Sequence, residues 1–178
     1  MKTPKSRSSG IPSRISMKRD SEAGSFFFVD IFQGFGELDA VISIFKEDTG
    51  RVLKSLKVDL QRRRGYARVD DETGNIVISL EYLREGDERH VYLDVIHELV
   101  HIRQYMEGKE LFDAKYGYLE RPTEIQAYLA AVEEARRIGM NEDEIVEYLR
   151  VEWVTEEDFQ SFLKTMGLAD GPRKLRSS

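Results

Sequence analysis

Residues 90–105 read HVYLDVIHELVHIRQY, and within them His97 and His101 stand four positions apart with Glu98 directly after the first. Placed on a helix at about 100° per residue, the stretch sorts into two sectors. The apolar residues from Val91 to Ile102 cover roughly 200° of the circumference, which predicts a helix buried on most of its sides. The remaining wedge holds His90, Asp94, His97, Glu98, His101 and Tyr105. Every one of these can ionise, whereas an ordinary solvated face would mix in Lys, Arg, Ser, Gln or Asn.

The spacing has a chemical reading. Side chains at i and i+4 project a turn apart from one face, so both imidazoles can meet one Zn²⁺ at about 2.0–2.1 Å. Glu98 lies about 100° round the helix from His97, too far to be a natural third ligand but able to reach a water at the metal. That is the place of a general base. The pattern is His-Glu-x-x-His, with apolar Leu99 and Val100 in the middle.

Working outward, the chain before this stretch reads as strands with one helix. "SFFFVDIF" (25–32) is aromatic and β-branched, is followed by Gly34 and Gly36, and predicts a first strand. "ELDAVISIFKED" (37–48) spaces Leu38, Val41, Ile42 and Phe45 at helical period, with Gly50 as the expected stop. "VLKSLKVDL" (52–60) stays open between helix and strand, with a strand favoured at its end. "YARVDDETGNIVISL" (66–80) alternates on both sides of an Asp- and Gly-containing turn and predicts a hairpin, whose "NIVISL" half, just before the motif helix, stays open between a substrate-binding edge strand and a simple core strand.

After the motif the chain turns helical. "PTEIQAYLAAVEEARRIG" (122–139) opens on Pro122 and Thr123 and stops at Gly139. Asn141 with Glu144, and Thr155 with Asp158, open two further helices, the second stopped by Gly167. There is no internal repeat. Strands first and helices later predict an α+β domain, a small antiparallel or mixed sheet followed by the motif helix and C-terminal helices.

The length suits one domain over residues 26–170, between Ser-, Pro- and basic-rich tails, 1–25 and 171–178, that are expected to be disordered. The chain has no cysteine, which excludes disulfides, thiolate metal sites and cysteine nucleophiles. A metal must be held by nitrogen and oxygen. The tails carry 9 of the 27 Lys and Arg and 2 of the 33 Asp and Glu, so 18 basic and 31 acidic residues leave the body at −13. Such a body argues against a nucleic-acid surface, and the basic N-terminal tail is the only candidate for one. No apolar run approaches the roughly 18 residues of a membrane helix, so a cytoplasmic protein without a membrane partner is expected.

A catalytic zinc site takes three protein ligands and leaves a position for water. The third histidine, His90, precedes the motif, and Glu107 stands six residues after His101, where a metzincin carries its third histidine. Peptide deformylases need a cysteine. A carboxylate downstream remains. Glu124 shares a helical stripe with Ala127, Tyr128, Ala131, Ala135 and Ile138, a face that reads as buried, and a carboxylate aimed at a core is costly unless paired or metal-bound. Glu133 and Glu134 are expected to point elsewhere, near arginines. Asp113 stays open as the alternative, because "DAKYG" (113–117) matches the Asp-x-x-Tyr-Gly of the aspzincins, although the usual preceding Gly-Thr is missing.

His-Glu-x-x-His followed by a Glu-x-x-Ala helix resembles the gluzincin clan of zinc metallopeptidases, and in particular the compact minigluzincins. The resemblance covers about residues 75–138. In that clan the second motif often continues to Asp, where this chain has Tyr128. The missing Asp usually supports a metal-binding histidine, so Asp94 is expected to take over that support. The resemblance implies a zincin-like domain and a zinc metallopeptidase acting on a peptide or protein substrate. His97, His101 and Glu124 would hold Zn²⁺, and Glu98 would move the proton of the attacking water to the leaving amine. A donor is still needed for the oxyanion. Tyr118 is preferred over Tyr116, Arg121 and His90, and the competing expectation is a binding or regulatory domain whose cleft is occluded by residues 141–170.

Overall fold

The computed structural model describes residues 10–168, so the expected tail 171–178 and residues 1–9 lie outside the described residues. Six short strands follow one another as β1 (Ser16–Met17), β2 (Gly24–Phe27), β3 (Phe32–Gln33), β4 (Lys57–Gln61), β5 (Ala67–Val69) and β6 (Ile76–Ser79). The helices are α1 (Phe28–Ile31), α2 (Asp39–Phe45), α3 (Thr49–Ser55), α4 (Leu80–Glu85), α5 (Glu88–Met106), α6 (Pro122–Arg137), α7 (Glu142–Leu149) and α8 (Glu156–Thr165). The class is α+β. A mixed four-stranded sheet in the order β2-β4-β6-β5 precedes the long helices, and β1 pairs with β3 apart from it.

β5 and β6 form the expected hairpin, with Ala67 opposite Ile78 and Val69 opposite Ile76. Its turn is closed by the Asp70 carboxylate, which accepts from the backbone N–H of Glu72 and Thr73. Gly74 then takes φ 70°, and a Cβ there would come within 2.6 Å of the Tyr105 ring. Of the two readings of "NIVISL", the core strand holds and the edge strand does not. β6 lies inside the sheet, parallel to β4 and antiparallel to β5, because Ile76, Val77 and Ile78 are apolar on both faces and all become buried. The free edges are β2 and β5.

Three other expectations change. "SFFFVDIF" leaves the strand after Phe27 and re-enters one only at Phe32, the first residue of β3, since Phe28, Ile31, Phe32 and Phe35 fall at i, i+3, i+4 and i+7 and all are buried. The chain turns through α1 to bury them, and Phe28 N–H bonds the Leu56 carbonyl at 2.8 Å. Gly50 is no stop but lies inside α3; the break after α2 is at Lys46, which takes φ 53°. Residues 10–25 are not a disordered tail. They contain β1 and the start of β2, Ile11, Ile15 and Met17 pack against the core, and Arg19 binds the Leu83 and Arg84 carbonyls at the end of α4 at 2.7 and 3.1 Å. Arg84 returns a bond to Ser21 O at 2.7 Å.

α5 starts at Asp87, whose carboxylate accepts from the N–H groups of Arg89 and His90. It packs against α6, α2 and β5, and its apolar sector is buried throughout, Leu93 and Leu99 completely. α6 opens on Pro122, whose missing N–H is one a helix start leaves unbonded anyway. No helix among the described residues is long and apolar enough to cross a membrane.

Candidate metal centre

α5 presents His97, Glu98 and His101 on one side, and the first turn of α6 brings Glu124 against them. All four are within about 5% of full burial. His97 Nε2 lies 3.0 Å from His101 Nε2, and Glu124 Oε2 lies 3.3 and 3.4 Å from the two. The three atoms make a nearly equilateral triangle, and His97, His101 and Glu124 are the group of potential metal ligands found among the described residues. Two ligand bonds of about 2.05 Å at the tetrahedral angle span about 3.3 Å, so the triangle has the size a zinc-like ion requires.

The hydrogen bonding agrees with that fit. Glu124 Oε2 is buried and has no aligned donor although it faces two imidazole nitrogens. Three lone-pair atoms turned towards one point are an arrangement that a shared cation satisfies. Burial alone would raise the Glu124 carboxyl, but His101 and His97 outweigh it and hold it at about 2. Burial likewise disfavours the charged form of His101, yet Glu124 and Glu98 lift the ring to about 9.

One orienting contact escaped the sequence reading. Gln104, 1% exposed, accepts from His101 Nδ1 at 2.7 Å, and its amide donates to Thr123 O at 3.0 Å and Gln126 Oε1 at 2.9 Å. The proton is thereby held on Nδ1 and Nε2 is left for the metal side. Gln104 also ties α5 to the turn of α6 that carries Glu124. Its i+3 spacing from His101 is visible in the sequence; its α6 partners are not.

The support expected from Asp94 is corrected. Its carboxylate accepts from the hydroxyls of Tyr82 and Tyr148, the second at 2.9 Å, and no hydrogen bond joins it to His97. Burial pushes the Asp94 carboxyl up. His97 Nδ1 stays buried without a hydrogen-bond partner among the described residues. Tyr128 instead sets its ring edge-on to His97 at 4.3 Å. Packing fixes one imidazole and hydrogen bonding the other.

Asp113 lies outside the cluster, and its side chain closes a local turn by accepting from Lys115 N–H at 3.0 Å. Glu134 lies near an arginine as expected, meeting Arg137 Nε at 3.3 Å, but it is buried at 1% exposure and accepts from Tyr92 OH at 2.6 Å.

A cleft of about 270 Å³ opens beside the triad. His97, Glu98, Asp94 and His90 form its α5 side, Tyr66 and Ala67 bring the free edge of β5 to it, and residues 147–153 make the opposite wall. Burial pushes the Glu98 carboxyl up, and Oε2 has no hydrogen-bond partner. Of the expected oxyanion donors, Tyr118 and His90 line the cleft, whereas Tyr116 and Arg121 do not. The Tyr118 hydroxyl lies 3.0 Å from that of Tyr128, and burial pushes both phenols up, so both keep their protons.

No family model matches the chain, and neither a curated protein nor a solved structure does.

Proposed function

We propose that the protein is a zinc-dependent peptidase of the gluzincin kind, with a zincin-like fold, in which His97, His101 and Glu124 hold the ion. The observation that carries the reading is the buried Nε2–Nε2–Oε2 triangle with Glu98 beside it at the floor of a cleft. Two imidazoles and one carboxylate are a common donor set for catalytic zinc. Bound there, zinc supplies Lewis acidity, polarising a carbonyl and lowering the pKa of water to about 7.

The chain's own groups supply the rest. Glu98 is a base whose burial raises its affinity for a proton, and its Oε2 has no hydrogen-bond partner to compete for one. It takes a proton from the attacking water at Oε2 and gives it to the leaving amine. Tyr118 and Tyr128 hold two hydroxyl protons, of which one serves their mutual bond. The other O–H is left to donate to an oxygen that gains charge in the cleft. A substrate strand fits the free edge of β5 at Tyr66 and Ala67, not β6, which lies inside the sheet.

The test is metal analysis with peptide hydrolysis. Wild type should hold one equivalent of zinc and cleave peptides, and Glu98→Gln should keep the zinc and lose about 10²–10⁴-fold in kcat. Zinc-loaded wild type that cleaves nothing in a broad peptide library would reject the peptidase and favour a binding or regulatory domain. The wall of residues 147–153 is the feature that favours this second reading.

A further inference from the structure

The charges around the cleft are one-sided. Asp94, Glu98, Glu147 and Glu152 line it, and Arg150 is its only Lys or Arg. Arg150 is engaged elsewhere: its guanidinium meets Glu156 at 3.3 Å and lies 4.6 Å from the centre of the Phe159 ring. Glu147 and Glu152 are exposed at the rim and take part in no ion pair among the described residues. Asp94 receives two phenol O–H donors, an arrangement that suits a carboxylate accepting on both oxygens. Glu98, 95% buried, adds an oxygen without a partner.

The other wall material is aromatic. Tyr66, Tyr118, Tyr148 and Trp153 face the same space, with the Trp153 and Tyr118 rings 5.9 Å apart. Ring faces attract cations, and Tyr118 already has the Arg121 guanidinium 5.8 Å from its centre. An acidic side chain would enter against like charge. A neutral one would desolvate Asp94 and the rim glutamates without compensation.

We infer that the cleft selects a substrate carrying a cationic group, held by Asp94, Glu147 and Glu152 and by the aromatic rings around them. In chemical terms this is a lysine or arginine side chain or a free α-amine. The inference rests on the peptidase reading for its occupant, a polypeptide. Its charge logic is separate.

The two can be separated by binding. Trp153 is the only tryptophan of the chain and is 63% exposed at the rim, so its fluorescence reports occupancy. Zinc-loaded Glu98→Gln is titrated with peptides that differ only in lysine against norleucine, each with a free and an acetylated N-terminus. At low salt the cationic member should bind on the order of ten-fold tighter, and added salt should erode the difference. The Glu147→Gln/Glu152→Gln pair, which leaves the Tyr82–Asp94–Tyr148 contacts intact, should shrink it to about two-fold, with Asp94→Asn removing most of the rest. A lysine-over-norleucine preference that persists in acetylated peptides assigns the site to the side chain, and a loss on acetylation that is equal for lysine and norleucine peptides assigns it to the α-amine.

Binding that changes neither between lysine and norleucine nor on acetylation, tighter binding of glutamate peptides, or a preference untouched by all three amide substitutions overturns the inference. Charge-selective binding without hydrolysis by wild type sinks the peptidase reading and leaves this one standing. Hydrolysis without charge preference does the reverse.

Discussion

α6 buries two glutamates ten positions apart, and their surroundings differ. Glu124 sits at the first turn against two imidazole nitrogens, and its inner oxygen has no aligned donor. Glu134, nearer the other end, accepts the Tyr92 hydroxyl at Oε1, and its Oε2, likewise without an aligned donor, lies 3.3 Å from Arg137 Nε. Both are almost fully enclosed. Burial of a carboxylate therefore does not distinguish a ligand from a structural anchor; the kind of atom facing it does. A phenol and a guanidinium bring their own protons, whereas two imidazole nitrogens on one side of a carboxylate leave room for a shared cation.

The sharpest way to break the comparison is to remove each carboxylate in turn. Glu124→Ala should reduce zinc affinity by more than the about 10–100-fold that loss of an outer partner costs, read by competition with a chelator. Glu134→Ala should leave the zinc stoichiometry at one. If Glu134→Ala loses zinc and Glu124→Ala keeps it, the assignment is inverted. Next in size, Tyr118→Phe with Tyr128→Phe should lower kcat about 10²–10³-fold with zinc content unchanged, because no hydroxyl is left to donate. Gln104→Leu comes third, with about 10–100-fold weaker zinc binding as His101 loses its orienting acceptor.

The stability effect of Glu134→Ala is smaller, about 1–3 kcal/mol in denaturant melts, because the Tyr92 hydroxyl is left buried without an acceptor. Last comes pH. In the metal-free protein His101 is raised from 6.5 to about 9, so its stabilising share is complete below 6.5 and is lost as pH rises through 9. Glu124 is lowered from 4.5 to about 2, so its share is complete above 4.5 and is lost as pH falls towards 2. The metal-free site is thus best held between these ordinary values, pH 4.5 to 6.5. Zinc uptake at pH 7.5 should release about one proton, measurable by calorimetry in buffers of different ionisation enthalpy.

How much the sequence revealed depends on how local each feature is. His97, Glu98 and His101 lie within five residues of one helix, so their geometry is set by the helix itself. Glu124 could be read because it lies on a stripe of small and apolar residues that had to face inward. Gln104 was missed because its meaning depends on Thr123 and Gln126 across the α5–α6 contact. Asp94 was assigned to the wrong partner for the same reason, since Tyr148 reaches it from α7. The place of β6 was hidden too. Its parallel pairing with β4 skips over β5, and only the unbroken apolar run of Ile76–Ile78 hinted at an interior strand. In 28–35 the helical spacing was present but masked by aromatic, strand-like composition.

The ligands belong to two helices joined by a long connection. A bound ion would close the chain between His101 and Glu124 into a covalent-like loop, in a protein that has no cysteine with which to make a disulfide. A cross-link over roughly 20 residues is worth about 3 kcal/mol through the entropy it removes from the unfolded chain. The ion would then fasten the molecule as well as serve its chemistry, and chelation should lower the melting temperature of Glu98→Gln as much as that of wild type.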